Sequence, residues 1–240
     1  MPHFEVKMTL INNKKILFAG DPHGNFDQIN SAVIKYKPEA VFFLGDYDLD
    51  LPFEEYLKPI VTISKIFWIH GNHDFSKKQW HDNLFKSAYS SHSIHLKVVD
   101  VAGIRIAGLG GVFLSKIWYP PATPKWDDKS HFLEFQPSNV RKQQGLLKHQ
   151  SAIWPNEFDH LKKLNADILV THEAPSCHKY GFDVIDELAR EMGVKKIVHG
   201  HHHEHYVDSV NEDTAVYGVD IRGVVDLAGN NVVCKKRWLS

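Results

Sequence analysis

The chain has 240 residues, enough to bury a full core, with 43 % apolar and 24 % charged residues, the ordinary balance of a globular protein. A formal net charge of −1 gives it no overall attraction to nucleic acid or to an anionic membrane, and no apolar run approaches the ~20 residues that span a bilayer. Cys177 and Cys234 are too few for a disulfide scaffold and too far apart for a thiolate metal knuckle. Met1 to Lys15 lacks the apolar core of a secretory leader, so a reducing cytoplasm is expected. Histidine is the outlier: there are 17, spread from His3 to His205 rather than gathered in a terminal tag.

Lys15-Ile16-Leu17-Phe18-Ala19 is a short apolar run of the buried-strand kind, and it empties into Gly20-Asp21-Pro22-His23-Gly24-Asn25. A carboxylate and an imidazole two residues apart can turn toward one point if the turn is tight, and together they offer the oxygen and nitrogen donors that a first-row metal ion prefers. Standing alone, this pair is an ordinary polar turn as readily as a metal site. Phe26, Ile29, Val33 and Tyr36 then fall at helical spacing until Pro38. Ala40 to Leu44 is a second apolar run, leading into Gly45-Asp46-Tyr47-Asp48, and Phe53 to Lys58 predicts a short helix. A third run, Lys65 to His70, discharges into Gly71-Asn72-His73-Asp74, and Ser76 to Lys86 reads as a helix with Ser76 near its cap. Three strand-loop-helix units in succession argue for a parallel sheet flanked by helices, with sites at the carboxyl ends of its strands.

Between Ile94 and Gly111 the clearest strand is Ile104 to Gly108. From about 112 to 137 the chain is irregular and rich in proline and aromatics, the pattern of a lid or a mobile loop. Ser138 is expected to cap a helix running to about His149, and Pro155 precedes another, Glu157 to Leu164. Asp167 to Thr171 is again a buried-type strand, ending at His172. After a helix over Val184 to Met192, the strand Lys196 to His199 empties into Gly200-His201-His202-His203. The tail, Tyr206 to Trp238, suggests antiparallel strands. With no repeat and no linker, residues 1–240 read as one domain.

Five strand-end loops therefore carry Asp21 and His23, Asp46, Asn72 and His73, His172, then His201 and His203. Two metal ions about 3.5–4 Å apart need a bridging carboxylate and roughly three further protein ligands each, which this inventory meets. The ordered motifs Asp-x-His, Gly-Asp, Gly-Asn-His-Asp, His and Gly-His-x-His, spread over residues 20 to 203, resemble the calcineurin-like metallophosphoesterase superfamily. The resemblance implies an α/β fold, a four-layered α/β/β/α sandwich of two mixed sheets flanked by helices. It assigns Asp21, His23 and His203 to one divalent ion, Asn72, His172 and His201 to the other, and Asp46 as the bridge. A hydroxide shared by the ions then attacks phosphorus in line, and His73 protonates the leaving oxygen as general acid. His, Asp and Asn ligands suit Mn, Fe, Zn or Ni, with manganese expected first. His202 is read as surface-exposed, and His70 and His199 as packing or outer hydrogen-bonding groups.

The expected substrate is a phosphate ester, diester favoured over monoester. Serine/threonine protein phosphatases of the superfamily continue the second motif as Gly-Asp-x-Val-Asp-Arg-Gly. Here Leu49 stands where the acidic partner of the general acid belongs and the arginine is absent, which disfavours a protein phosphatase and leaves Asp48 and Asp50 as the candidates for orienting His73. A fainter likeness, through Gly103 to Gly108 and Thr171-His172-Glu173-Ala174-Pro175, links the chain to RNA lariat-debranching enzymes. Lys125, Lys129, Arg141 and Lys142 with Trp118, Tyr119 and Trp126 would then form a stacking surface for single-stranded nucleic acid. Those enzymes have Cys where Asp21 stands, and the net charge gives no support. The fold also occurs as a scaffold, as in the retromer subunit that resembles the family. Such proteins typically lack the general acid or some ligands, and this chain keeps them all.

Overall fold

A computed structural model describes residues 13–143 and 145–233; His3, Cys234 and the end of the expected tail lie outside them. The predicted strands form in two sheets. In the first, β1 (Ile16–Ala19), β2 (Ala40–Phe43) and β3 (Lys65–Trp68) run parallel, and the late strand β10 (Val224–Asp226) pairs antiparallel with β1. The second sheet has the order β4-β5-β6-β7-β9-β8, from Val98–Val101, Ile104–Leu109, Ile168–Thr171, Lys196–His199, Thr214–Gly218 and Tyr206–Asn211 respectively. Its β5, β6, β7 and β9 are parallel, with an antiparallel strand at each edge.

The continuous apolar runs have a simple cause: both faces of each central strand are covered. Side chains alternate across a strand. Leu17, Ala19, Val41 and Phe43 therefore pack outward against helices α1 (Asp27–Tyr36), α2 (Phe53–Leu57) and α3 (Lys78–Phe85), through Ile29, Val33, Phe53, Leu57 and Leu84. Ile16, Phe18 and Phe42 face inward and meet Ile106, Ile168, Val170 and Val198 of the second sheet. That sheet's outer face, Leu109, Leu169 and Ile197, takes Phe158 and Leu161, and Ile185 and Leu188, from two further helices that come later in the chain. The result is the expected four layers. Each fully buried Leu, Ile or Phe contributes about 1.5–3 kcal/mol.

The stretch from 112 to 154 takes in the irregular segment expected at about 112 to 137 and the helix expected after Ser138. It contains α4 (Lys129–Glu134), whose N-cap Asp128 accepts the His131 N–H at 2.8 Å, and it builds a small core of its own from Ile117, Phe132, Ala152 and Trp154. Trp118 packs on Phe113 and Phe158, and Trp126 on Phe132 and Phe135, leaving Tyr119 as the exposed aromatic of the supposed stacking surface. The helix expected from Ser138 to His149 stops at α5 (Ser138–Lys142). Gly145 turns left-handed there (φ +95°), its N–H closes on the Val140 carbonyl, and a 3-10 turn, Leu147–Ser151, follows. α6 (Pro155–Leu161) and α7 (Asp183–Glu191) form near their predicted places. Ser76 is not a cap: it closes a 3-10 turn, His73–Phe75, and α3 begins only at Lys78. Among the described residues no helix is long and apolar enough to cross a membrane.

Candidate metal centre

The carboxyl ends of β1, β2, β3, β6 and β7 all open on one edge of the sandwich, and all seven predicted ligands meet there. The first loop turns at His23 (φ +41°). Its Nε2 faces His203 Nε2 at 3.1 Å, and His203 Nε2 stands 3.4 Å from Asp21 Oδ2. Asp21 is fully buried. Its Oδ2 accepts the His201 N–H at 2.8 Å, while Oδ1 is covered and has no hydrogen-bond partner among the described residues.

On the other side, His172 donates Nδ1–H to the Leu44 carbonyl at 2.7 Å, which fixes the ring and turns Nε2 toward the cluster. That nitrogen lies 3.2 Å from Asn72 Oδ1 and 3.4 Å from Asp46 Oδ2, and the His201 ring is 4.8 Å from its own. His172 Nδ1 is also 4.0 Å from Asp21 Oδ1, so one buried imidazole sits between the two carboxylates.

The loops are drawn tight to achieve this. Asp46, Asp48, His201 and His203 join His23 in the left-handed region, which non-glycine residues seldom occupy, and such strain gathers at functional sites. A Cβ on Gly71 would lie 2.2 Å from Asp46 Oδ1 and 2.4 Å from His172 Cε1, so only glycine lets the third loop pass between them. Asp74 ties the second and third loops together: its carboxylate accepts the N–H groups of Gly71, Asp46 and Tyr47 at 2.8, 3.2 and 2.9 Å.

Charge accounts for the proton affinities. Burial pushes the Asp21 carboxyl up to about 7, with His172 opposing. Burial pulls His172 down, but Asp46 and Asp21 outweigh it and raise its pKa to about 10. Asp46 stays ionised because His172 overcomes its own burial. Burial holds His201 neutral, at about 3. Two carboxylates this deep in the protein require positive charge between them. The unpartnered Asp21 oxygen, the facing nitrogens of His23 and His203, and the O/N donor set all fit divalent cations there.

His73 lies at the rim, its side chain 43 % exposed, with its backbone N–H on Asp46 Oδ1 at 2.8 Å. Its Nδ1 pairs with Asp48 Oδ1 at 3.1 Å, and Asp48 Oδ2 takes His23 Nδ1 at 2.8 Å. The Asp48 hydrogen bond raises the His73 pKa against partial burial. Asp50 is engaged elsewhere, by the Trp80 indole N–H at 3.0 Å. His199 is buried and bonds the Tyr206 hydroxyl at 2.6 Å, and His70 is packed against Phe75 and Phe85, both away from ligation. His202 differs from the surface reading: it is half-buried and stacks on His178 with centroids 4.0 Å apart. Asp74 and Glu173 carried no assigned role in the sequence. Glu173 Oε1 accepts the Phe113 N–H at 3.0 Å and so pins the 112–154 stretch to the fourth loop.

A family description, calcineurin-like phosphoesterase, matches residues 14–205. A protein of uncharacterised function from Haemophilus influenzae is 39 % identical over 216 residues, covering 90 % of this chain and 95 % of that one. Among solved structures, a Thermus thermophilus protein superposes with a TM-score of 0.57 at 13 % identity, over 92 % of this chain and 98 % of that one. A dimetal phosphatase from Danio rerio gives 0.53 at 12 % identity, over 89 % and 93 %. At such identities the two structures establish a shared fold, while the family match over 14–205 spans most of the chain and takes in every loop that carries a predicted ligand. The chain belongs to the calcineurin-like phosphoesterase family, a family of metal-dependent phosphoric ester hydrolases.

Proposed function

We propose that this hydrolase works with a pair of divalent cations, manganese first among them, and acts on phosphodiesters in preference to monoesters. Asp21, His23 and His203 would hold one ion, Asn72, His172 and His201 the other, and Asp46 would serve both. Bound there, the cations supply Lewis acidity toward phosphoryl oxygens and a nucleophilic water at neutral pH. The side chains around them do the remaining work. His172 is fixed in one tautomer by the Leu44 carbonyl and presents Nε2 as a donor atom. Asp48 orients His73 through Nδ1, which leaves Nε2 to deliver a proton to the leaving oxygen.

The observation that carries this reading is the His73–Asp48 pair at the rim of the buried donor cluster, because a proton donor is what a metal pair lacks. The diester preference rests on charge. The second loop offers Asp48 beside His73 and no arginine, which disfavours a phosphate dianion more than a monoanion.

The test is hydrolysis of a nitrophenyl phosphate monoester and its bis-ester after metal stripping and Mn²⁺ reloading, for wild type and His73→Ala. The bis-ester is expected to turn over faster. The variant should lose about 100-fold in kcat on a diester with a poor alkoxide leaving group, and less on nitrophenolate, which needs little protonation. No turnover of any ester by protein carrying both metal equivalents would sink the reading.

A further inference from the structure

Arg222 lies on the turn between β9 and β10 that closes over the first ligand loop. Its backbone N–H donates to the Asp21 carbonyl at 3.2 Å, and its Nε donates to the Pro22 carbonyl at 3.2 Å. Next to it, the Gly20 N–H donates to the Gly223 carbonyl at 3.0 Å, so the turn and the loop are joined on both sides. Among the described residues, Arg222 is the one lysine or arginine whose side chain hydrogen-bonds the Asp21–His23 segment. Its φ is +56°, the same left-handed region taken by His23, Asp46, Asp48, His201 and His203. Glycine would occupy that position without penalty. A long cationic side chain is held there against local preference, as happens where a side chain has work to do.

The Nε bond uses one of the five guanidinium N–H groups. The remaining four, on the two terminal nitrogens, make no hydrogen bond among the described residues. The guanidinium is thus fixed at its root, next to a residue flanked by two metal-ligand side chains, with its planar fork unspent.

We propose that Arg222 binds the non-bridging oxygens of the substrate phosphoryl group. The inference rests on the phosphoesterase reading and adds to it a substrate-binding residue that lies outside residues 20 to 203 and belongs to none of the five motifs. A guanidinium fork matches two phosphate oxygens bidentately, and anchoring at Nε restricts its motion before the substrate arrives. A cation held beside the Asp21–His23 loop, with His73 as proton donor, would give the substrate a preferred orientation, phosphoryl oxygens toward Arg222 and leaving group toward His73.

The experiment is calorimetric titration of inorganic phosphate into the Mn²⁺-loaded protein, for wild type, Arg222→Gln and Arg222→Ala, with bound manganese and melting temperature measured on each. Gln keeps an N–H donor for the Pro22 carbonyl and removes the charge. Arg222→Gln is expected to bind phosphate about tenfold more weakly with both manganese equivalents and the melting temperature retained. Phosphate affinity in Arg222→Gln within about twofold of wild type would overturn the proposal. So would a loss of phosphate binding that tracks a loss of manganese in both variants, because Arg222 would then only brace the loop. If Arg222→Ala fails to fold, Arg222→Gln decides alone. Wild-type protein that holds both metals and binds no phosphate would bring down the phosphoesterase reading, and this inference with it.

Discussion

One carboxylate, Asp48, holds two imidazoles, His23 at 2.8 Å and His73 at 3.1 Å. In the sequence Asp48 and Asp50 are equal candidates for that role, because both follow Asp46 in a loop with no periodicity to orient them. The left-handed turn at Asp48 (φ +52°) and the Trp80 indole on Asp50 decide between them, and neither is a local property of the segment. Gly71 is a sharper case of a residue set by its surroundings. A methyl group there would strike both Asp46 and His172. Gly71→Ala is expected to lose at least one manganese equivalent on metal analysis and to melt at a lower temperature. A variant that keeps both metals and its melting point would show that the loops have more slack than these distances allow.

Helices followed their apolar spacing where they pack on a sheet and stopped short where they do not. α1 and α7 bury their periodic residues against the two outer faces, and both form close to where the spacing puts them. The pattern beyond Ser138 has no sheet to lie on, and Gly145 ends it. The 112–154 stretch instead organises around Phe132, with His149 packed edge-on against that ring at 5.3 Å. Its turn Leu147–Ser151 rests on the His73–Phe75 turn, so the stretch supports the rim of the site. Burial, then Lys148 and Lys116, hold the His149 pKa below its ordinary value. The unfolded chain therefore binds the more protons as pH falls below about 6.5. The stability His149 contributes is complete above that value and is lost as pH falls through its depressed folded pKa. Between about pH 7.5 and about pH 5.5 the urea midpoint of wild type is expected to fall further than that of His149→Phe, which keeps a ring against Phe132 and has no proton to take up. Equal falls would remove His149 from the account.

Across the whole molecule, the metal edge is joined by the packing of two sheets, and cations there should bind the folded chain alone. Adding Mn²⁺ to stripped protein is expected to raise the melting temperature progressively, by about 2.7 kcal/mol of stability per site at 100 times its Kd. Chelation should reverse it. A melting curve indifferent to Mn²⁺ would mean that the buried carboxylates are satisfied without metal. The apolar runs were enough to locate the central strands, because a strand covered on both faces has to be apolar throughout, and the Gly-led polar loops after them were enough to nominate the ligands. Those are local properties, readable from neighbours in the chain. Which donors share a point is not local: His201 N–H meets Asp21 Oδ2 across 180 positions, and Arg222 reaches Pro22 across 200. The stacking of the two sheets and the return of β10 to pair with β1 bring such partners within hydrogen-bond reach. The proton affinities of Asp21, His172 and His73 follow from that proximity and burial, so the tertiary structure alone decided them.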